Sequence, residues 1–377
     1  FGCPIYVQIP RIKQPIALFV VFRALGVISD KEICKHIVLN IEDETAKPIL
    51  KSLQASIIDA NMVMTQEDAL KIITSNVMYT PMNMDKEAGA ARKRIFTQDV
   101  LGNDLFPHCH SAIQKIYFLG YMANRVIRCS LDMAKQDDRD SYVNKRVDLT
   151  GALLNNLYRN YFNKLVKDMS KQIIKEINTG SWRSTDDHMN IVNKTNIYKI
   201  IKSTTIENGI KRALSTGDFG IKNVNSNKVG VAQVLNRLTY VSSLSHLRRI
   251  NTPVDKSGKL IAPRKLHNTT WGFLCVAETP EGGSVGVVKN ISYMTHLTTP
   301  SNSESLHQHV EPFILRMDSL TPEDMFVNIK VFVNGAWLGN TATPIELYNA
   351  FKDKKSKGII NIYTSVVFDI KNKEIRI

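Results

Sequence analysis

The stretch Leu266–Asn290, LHNTTWGFLCVAETPEGGSVGVVKN, decides the reading of this chain. Its glycines, its proline and its two glutamates are too dense and too ordered to be core filler. Glu278 and Glu281 lie three residues apart and invite reading as an acid–base pair. Pro280 and Gly282, however, fix a turn, and a carboxylate in such a turn usually bonds backbone amides or a neighbouring arginine. Neither glutamate is therefore expected to transfer a proton.

Upstream of this stretch the chain is strongly basic. Between Lys211 and His267 stand eleven lysines or arginines against two aspartates, a net +9 out of +14 for all 377 residues. These charges are interspersed with Gly, Ser, Asn and apolar residues, unlike the run Lys352–Lys357, which reads as a solvated face. A basic segment of that texture is a nucleic-acid footprint. Within it, Gln233–Asn251 sets Gln233, Arg237, His246, Arg248 and Arg249 among apolar residues that can seat them on a core. Such anchored cations suit a duplex that must be held and still slide, because phosphate contacts carry position and charge but no sequence. Arg264 and His267 close the basic track. Two polar loops flank it: NVNSNKVG at Asn223–Gly230, carrying Lys228, and VDKSGKLI at Val254–Ile261, where Lys256 and Lys259 bracket Gly258.

Five further blocks recur in order with the opening one: FRALGVISDKEI (Phe22–Ile33), FLGYMANR (Phe118–Arg125), DDRDSYVNKRVDLTG (Asp137–Gly151), QVLNRLTYVSSLSHLRRINTP (Gln233–Pro253) and FVNGAWLG (Phe332–Gly339). Together they resemble the second-largest subunit of multisubunit DNA-directed RNA polymerases, the subunit called β in bacteria. The blocks are eukaryotic-like, so the resemblance points to polymerase II or the enzyme of a large DNA virus, working in the nucleus or in host cytoplasm and virion. The chain departs from the family signature at Thr270, usually His, at Val276 for Pro, Gly283 for Gln and Val287 for Leu. No charged group is lost at these positions.

The resemblance implies an α+β, multidomain fold. It implies a helical lobe at 1–147, a returning part of the protrusion at 148–214, a mixed fork at 215–295 and a small αβ external domain at 296–377. Asn223–Gly230 matches fork loop 1, over the upstream hybrid, with Lys228 as a phosphate contact. Val254–Ile261 matches fork loop 2, at the downstream edge of the bubble, with Lys256 and Lys259. Lys145 and Arg146 fall near the nucleic-acid channel, and Glu281 stands behind the active centre. Magnesium belongs to aspartates of the largest subunit, and zinc to a C-terminal part that this chain does not include. Partners are the largest subunit, other polymerase subunits, the DNA template and the RNA:DNA hybrid. A subunit of this family is longer than this chain; Phe1 in place of Met and the strand-like end EIRI lead to the expectation of an internal piece, inactive in isolation. The alternative is a free-standing nucleic-acid-binding or assembly module.

Other residues narrow the classes. No GxxxxGK[ST], dinucleotide fingerprint or HExxH is present, so no residue here is expected to be catalytic in its own right. The five cysteines lack CxxC spacing, and the triplet His108, Cys109, His110 is too compact to converge on one metal ion. No apolar run reaches the ~20 residues a membrane span needs, and no membrane partner is expected. In QDDRDSYVNKR, Gln136–Arg146, the aspartates alternate with Arg139 and precede Lys145 and Arg146, which reads as an ion-paired corner.

The local patterns predict elements as well. Ser29 with Glu32, and Thr65 with Asp68, have capping-box spacing. A helix is predicted over about 111–133, with Ile113, Ile116, Gly120, Ala123, Ile127 and Leu131 on one stripe and Gly120 allowing a close neighbour. A second is predicted over about 153–177, burying Leu154, Tyr158, Phe162, Leu165, Met169 and Ile173 and ending at Gly180. After 295, Val327–Val333 alternates into an Asn334-Gly335 hairpin turn; a helix starts at Thr343-Pro344 and stops at Gly358, and strands follow at Ile359–Ile370 and Glu374–Ile377.

Overall fold

The computed structural model describes residues 3–80, 85–179, 194, 197–220, 229–254, 258, 260–299 and 301–377. Helices and small sheets combine in an α+β chain. It clusters into two compact units, one formed by Phe1–Gln136 with Thr298–Ile377, the other by Asp137–Leu297.

In the first unit the all-apolar run LFVVF makes the helix Leu18–Ala24 buried on every side. The helices Asp30–Val38, Ala46–Asp59, Gln66–Ser75 and Ala112–Ser130 pack around it and complete a core that includes Phe19, Phe22, Ile33, Ile37, Ile49, Leu53, Ile73, Ile116 and Ile127. Each such side chain contributes about 1.5–3 kcal/mol of apolar burial. The buried Arg23 explains part of the FRALGVISDKEI block: its Nη1 donates to Ala60 O at 2.7 Å and to Val63 O, while Nη2 pairs with Asp30. Thr65 caps its helix as predicted, accepting from Asp68 N at 3.2 Å. Ser29 precedes its helix without a side-chain cap bond. The helix Ala112–Ser130 opens on a full capping box of Ser111 and Gln114. Gly120 on it is a requirement of space: an added Cβ would lie 2.3 Å from His36 O. Ile116, Ala123 and Ile127 of the predicted stripe are buried, whereas Ile113 and Leu131 at its ends are exposed.

The returning segment of this unit builds a five-stranded sheet in the order Leu315–Arg316, Ala336–Thr341, Ile329–Val333, Glu374–Arg376, Val367–Asp369. Only Ile329–Val333 with Glu374–Arg376 is parallel. Asn334 and Gly335 take φ of 48° and 82°, the two positive values a type I′ hairpin demands. The helix Pro344–Ser356 covers one face through Leu347 and Phe351. Val327, expected in the strand, instead ends a helix, Pro322–Val327, because Thr321 and Asp324 form a capping box just upstream. The last strands are shorter than predicted. Tyr117, Phe118 and Tyr121 pack with Phe332 and Trp337, joining the returning segment to the first helices. Beside them Glu374, 1% exposed, accepts from Tyr121 Oη at 2.7 Å and pairs with Arg376 at 2.6 Å and Arg125 at 4.0 Å.

In the second unit the helix Thr150–Thr179 packs on Thr204–Thr216. The face it buries corrects the sequence reading over its first half, while Leu165 of the predicted stripe is buried and Met169 and Ile173 are half-buried. Leu157 is buried with Ala213 and Phe219, and Gly209 lets the Tyr161 ring approach. Leu154, Tyr158 and Phe162 remain 40%, 49% and 45% exposed. In its first half the helix turns Leu153, Leu157 and Tyr161, outside the predicted stripe, toward Ala213 and Phe219. Gly180 falls outside the described residues.

The segment 229–297 is mostly irregular backbone around two regular pieces. A capping box of Thr239 and Ser242 starts the helix Tyr240–Leu247. The strand Arg249–Asn251 then pairs antiparallel with Val288–Asn290, so that the block Gln233–Pro253 is tied to the end of the stretch Leu266–Asn290.

Candidate nucleic-acid interface

The basic residues of the second unit divide by what their side chains already hold. Arg248 follows the helix Tyr240–Leu247, and its Nη2 donates to Ser292 O at 2.8 Å, Thr295 O at 3.0 Å and Tyr293 O at 3.4 Å. Arg264 Nη1 donates to Gly283 O at 2.7 Å and Val285 O at 3.0 Å. The Arg264 backbone also lies so close to Gly286, at φ +68°, that a Cβ there would sit 2.2 Å from Arg264 O. Arg264 braces the turn within the motif, and Arg248 the loop that follows it.

Both histidines are spoken for as well. His246 Nδ1 accepts from Asn236 N at 3.1 Å, so its Nε2 carries the proton facing Gln233 Oε1 at 2.9 Å. His267 Nδ1 accepts from Thr269 N at 3.2 Å and its Nε2 meets Asp138 Oδ2 at 2.6 Å. The amide of Asp140 first, and then the His267 contact, hold the Asp138 carboxyl below its ordinary range. The aspartate of the QDDRDSYVNKR corner thus pairs with a histidine far along the chain; the sequence reading had paired it with its basic neighbours.

Arg237 and Arg249 are different. Both are exposed, and neither makes a hydrogen bond or ion pair among the described residues. Gln233 is exposed and donates to Gly230 O at 2.9 Å. Lys228, Lys256 and Lys259 lie outside the described residues, as do most of Asn223–Gly230 and half of Val254–Ile261. Glu278 accepts from the Ser245 hydroxyl, which ties the AETPEG turn to the helix Tyr240–Leu247. Glu281 is exposed with no side-chain partner among the described residues, so the expected bond to an amide or arginine is not formed.

Sequence reasoning passed over Lys289. It sits opposite Ile250 in the two-stranded ribbon, its Nζ donating to Pro263 O at 3.3 Å and lying 5.8 Å from the Tyr142 ring centre. The aromatic Tyr142 in a charge-rich corner was the available signal.

Among the described residues no group of three His, Cys, Asp or Glu converges as a metal site would require. His108 packs on the rings of Phe106 and Phe118, and Cys109 is buried. Among the same residues no helix is long and apolar enough to cross a membrane.

Three family models match the chain, those of RNA polymerase Rpb2 domain 2 over residues 3–148, domain 3 over 233–297 and domain 4 over 331–377. The chain belongs to the family of second-largest RNA polymerase subunits. DNA-directed RNA polymerase II subunit 2 of Arabidopsis thaliana is 36% identical over 98% of this chain and 30% of its own length. DNA-directed RNA polymerase subunit 2 of Acanthamoeba polyphaga mimivirus is 33% identical over 99% of the chain and 32% of its own. The polymerase III subunit RPC2 of Drosophila melanogaster is 30% identical over 96% of the chain and 31% of its own. The chain therefore spans about a third of the length of the Rpb2-family relatives it matches. Domain 3 of the family coincides with the segment in which Arg248 and Arg264 brace the loops.

Proposed function

We propose that this chain forms lobe, returning-protrusion, fork and first external surfaces of a DNA-directed RNA polymerase, and that its fork holds the RNA:DNA hybrid and the downstream bubble edge during template-dependent synthesis. One observation carries the reading: the fork segment presents the Arg237 and Arg249 side chains, exposed and without a partner among the described residues, on a frame that Arg248 and Arg264 stiffen internally. Exposed guanidiniums on a fixed frame attract phosphates without reading bases. Gln233, His246 and His267 are the neutral or paired groups around them, and Lys228, Lys256 and Lys259 of the two loops extend the same charge. Glu281 stands behind the active centre as an exposed anion.

Nucleotide transfer needs metal-held phosphates. Among the described residues no carboxylates converge as a magnesium site needs, and we assign that ion to the largest subunit and zinc to a different part of the subunit. The largest subunit, other polymerase subunits, template DNA and hybrid are the partners, in the nucleus or, for a large DNA virus, in host cytoplasm and virion.

Hybrid binding by the full chain should weaken with salt, with a log–log slope of about 0.9 per neutralised phosphate. A titration of a fluorescent RNA:DNA hybrid at several salt concentrations measures it. A flat response would overturn the electrostatic reading of the fork.

A further inference from the structure

We infer that Lys145 and Lys289, gathered around the ring of Tyr142, form a two-lysine seat for a single backbone phosphate of the bound nucleic acid. The inference rests on the nucleic-acid reading above and adds a site to it.

The geometry begins with the corner that precedes the helix Thr150–Thr179. Tyr142 N donates to Thr269 Oγ1 at 2.9 Å, and Asp138 meets His267 at 2.6 Å, so the corner is fastened at two points to the LHNTTWG stretch. This places Lys145 Nζ 4.9 Å from the centre of the Tyr142 ring and Lys289 Nζ 5.8 Å from the same centre. The two lysines come from segments far apart in sequence, one in the corner and one in the ribbon strand Val288–Asn290. Both are half-buried, and neither has a hydrogen bond to a carboxylate or an ion pair among the described residues. Burial first, and then repulsion from Lys145, push the Lys289 ammonium below its usual range, with Asp140 acting the other way. Asp140 also raises the Tyr142 phenol, whose larger cause is burial.

Two ammonium groups on one ring repel each other, and one more distant carboxylate offsets them only in part. A stem that lies along an aromatic face loses little further freedom when the head finds an anion. A phosphate diester offers two unesterified oxygens to two donors and removes the repulsion. A carboxylate of a protein partner offers similar oxygens, but the corner is fastened to His267, the end of a segment carrying a net +9, and that charge favours a polyanion over a single carboxylate.

The test uses the full chain with an RNA:DNA hybrid in which single phosphates are replaced by neutral methylphosphonates. One position should weaken binding to the unsubstituted protein, and Lys145→Gln or Lys289→Gln should each abolish that position's effect. Each substitution should also lower the salt slope by about 0.9, with the double variant no lower than either single, because one phosphate is shared. Lys145→Arg and Lys289→Arg keep the charge and should keep the slope, which separates lost charge from lost fold. If every variant retains the original slope and methylphosphonate pattern while Arg237→Ala and Arg249→Ala lower the slope, the seat is refuted and the fork reading stands. If the slopes of the lysine singles add, two phosphates are contacted and the shared seat is refuted. If no variant of either kind changes a flat response, the nucleic-acid reading itself falls.

Discussion

Arg248 and Arg249 are neighbours with separate tasks. Replacing Arg248 with Ala takes donors from the carbonyls of Ser292 and Thr295, and should destabilise the chain by about 1–3 kcal/mol in urea unfolding. Arg249→Ala should leave the midpoint within about 0.5 kcal/mol of the parent while weakening hybrid binding, as expected of an exposed side chain with no internal partner. Equal loss of stability in both variants would contradict the division. His36 gives the chain an acid sensitivity. It stacks edge-on to Tyr117 at 4.9 Å, and its buried Nδ1 has no hydrogen-bond partner. Burial lowers its pKa below the ordinary 6.5 despite nearby Glu32. The unfolded chain then binds the proton more tightly, so this contribution to stability is complete above about pH 6.5 and declines as pH falls below it. Thermal melts of the parent should lose more stability between pH 7 and pH 5 than those of His36→Gln; parallel curves would exclude His36 as the cause.

At the scale of the element, local chemistry was legible and partnership was not. The Asn334-Gly335 turn, the Thr343-Pro344 helix start and the demand for glycine at 120 can be read from sequence because each is settled within a few residues or by one missing Cβ. The long helix Thr150–Thr179 was equally visible, but its buried face was misread over its first half, since Thr204–Thr216 selects the stripe and lies decades of residues away. Leu157→Ala should therefore cost about 2–5 kcal/mol, and Leu154→Ala under 1, in denaturant unfolding. The reverse order would restore the sequence reading. The candidate site divides the same way. Its basic character was evident from composition, while the roles of Arg248 and Arg264 depend on carbonyls of distant loops, and the meeting of Lys289 with Tyr142 depends on two turns folding onto each other.

At the scale of the whole molecule, the first unit is joined across its long sequence gap by the aromatic cluster of Tyr117, Phe118, Tyr121, Phe332 and Trp337. Glu374 adds the buried carboxylate of that junction, meeting Arg125, Arg376 and the Tyr121 hydroxyl. Glu374→Ala removes a buried carboxylate from beside Arg125, Arg376 and Lys330, the last 5.8 Å from the Tyr121 ring. The loss should be about 3 kcal/mol, and Glu374→Gln should lose less because an amide oxygen still accepts from Tyr121. Calorimetry of the two variants against the parent checks both the size and the order.

The discontinuity of that unit has a consequence in time. Tyr117, Phe118 and Tyr121 leave the ribosome early, yet Phe332, Trp337 and Glu374, which cover them, are synthesised some 200 to 250 residues later. At about 5–20 residues per second, the aromatic surface stays uncovered for roughly ten to fifty seconds of translation, far longer than hydrophobic collapse takes. The whole second unit emerges and can fold within that interval. A nascent chain arrested before residue 298 should consequently be held by chaperones through the exposed rings of one helix, and should be released from them only when the final strand joins the sheet.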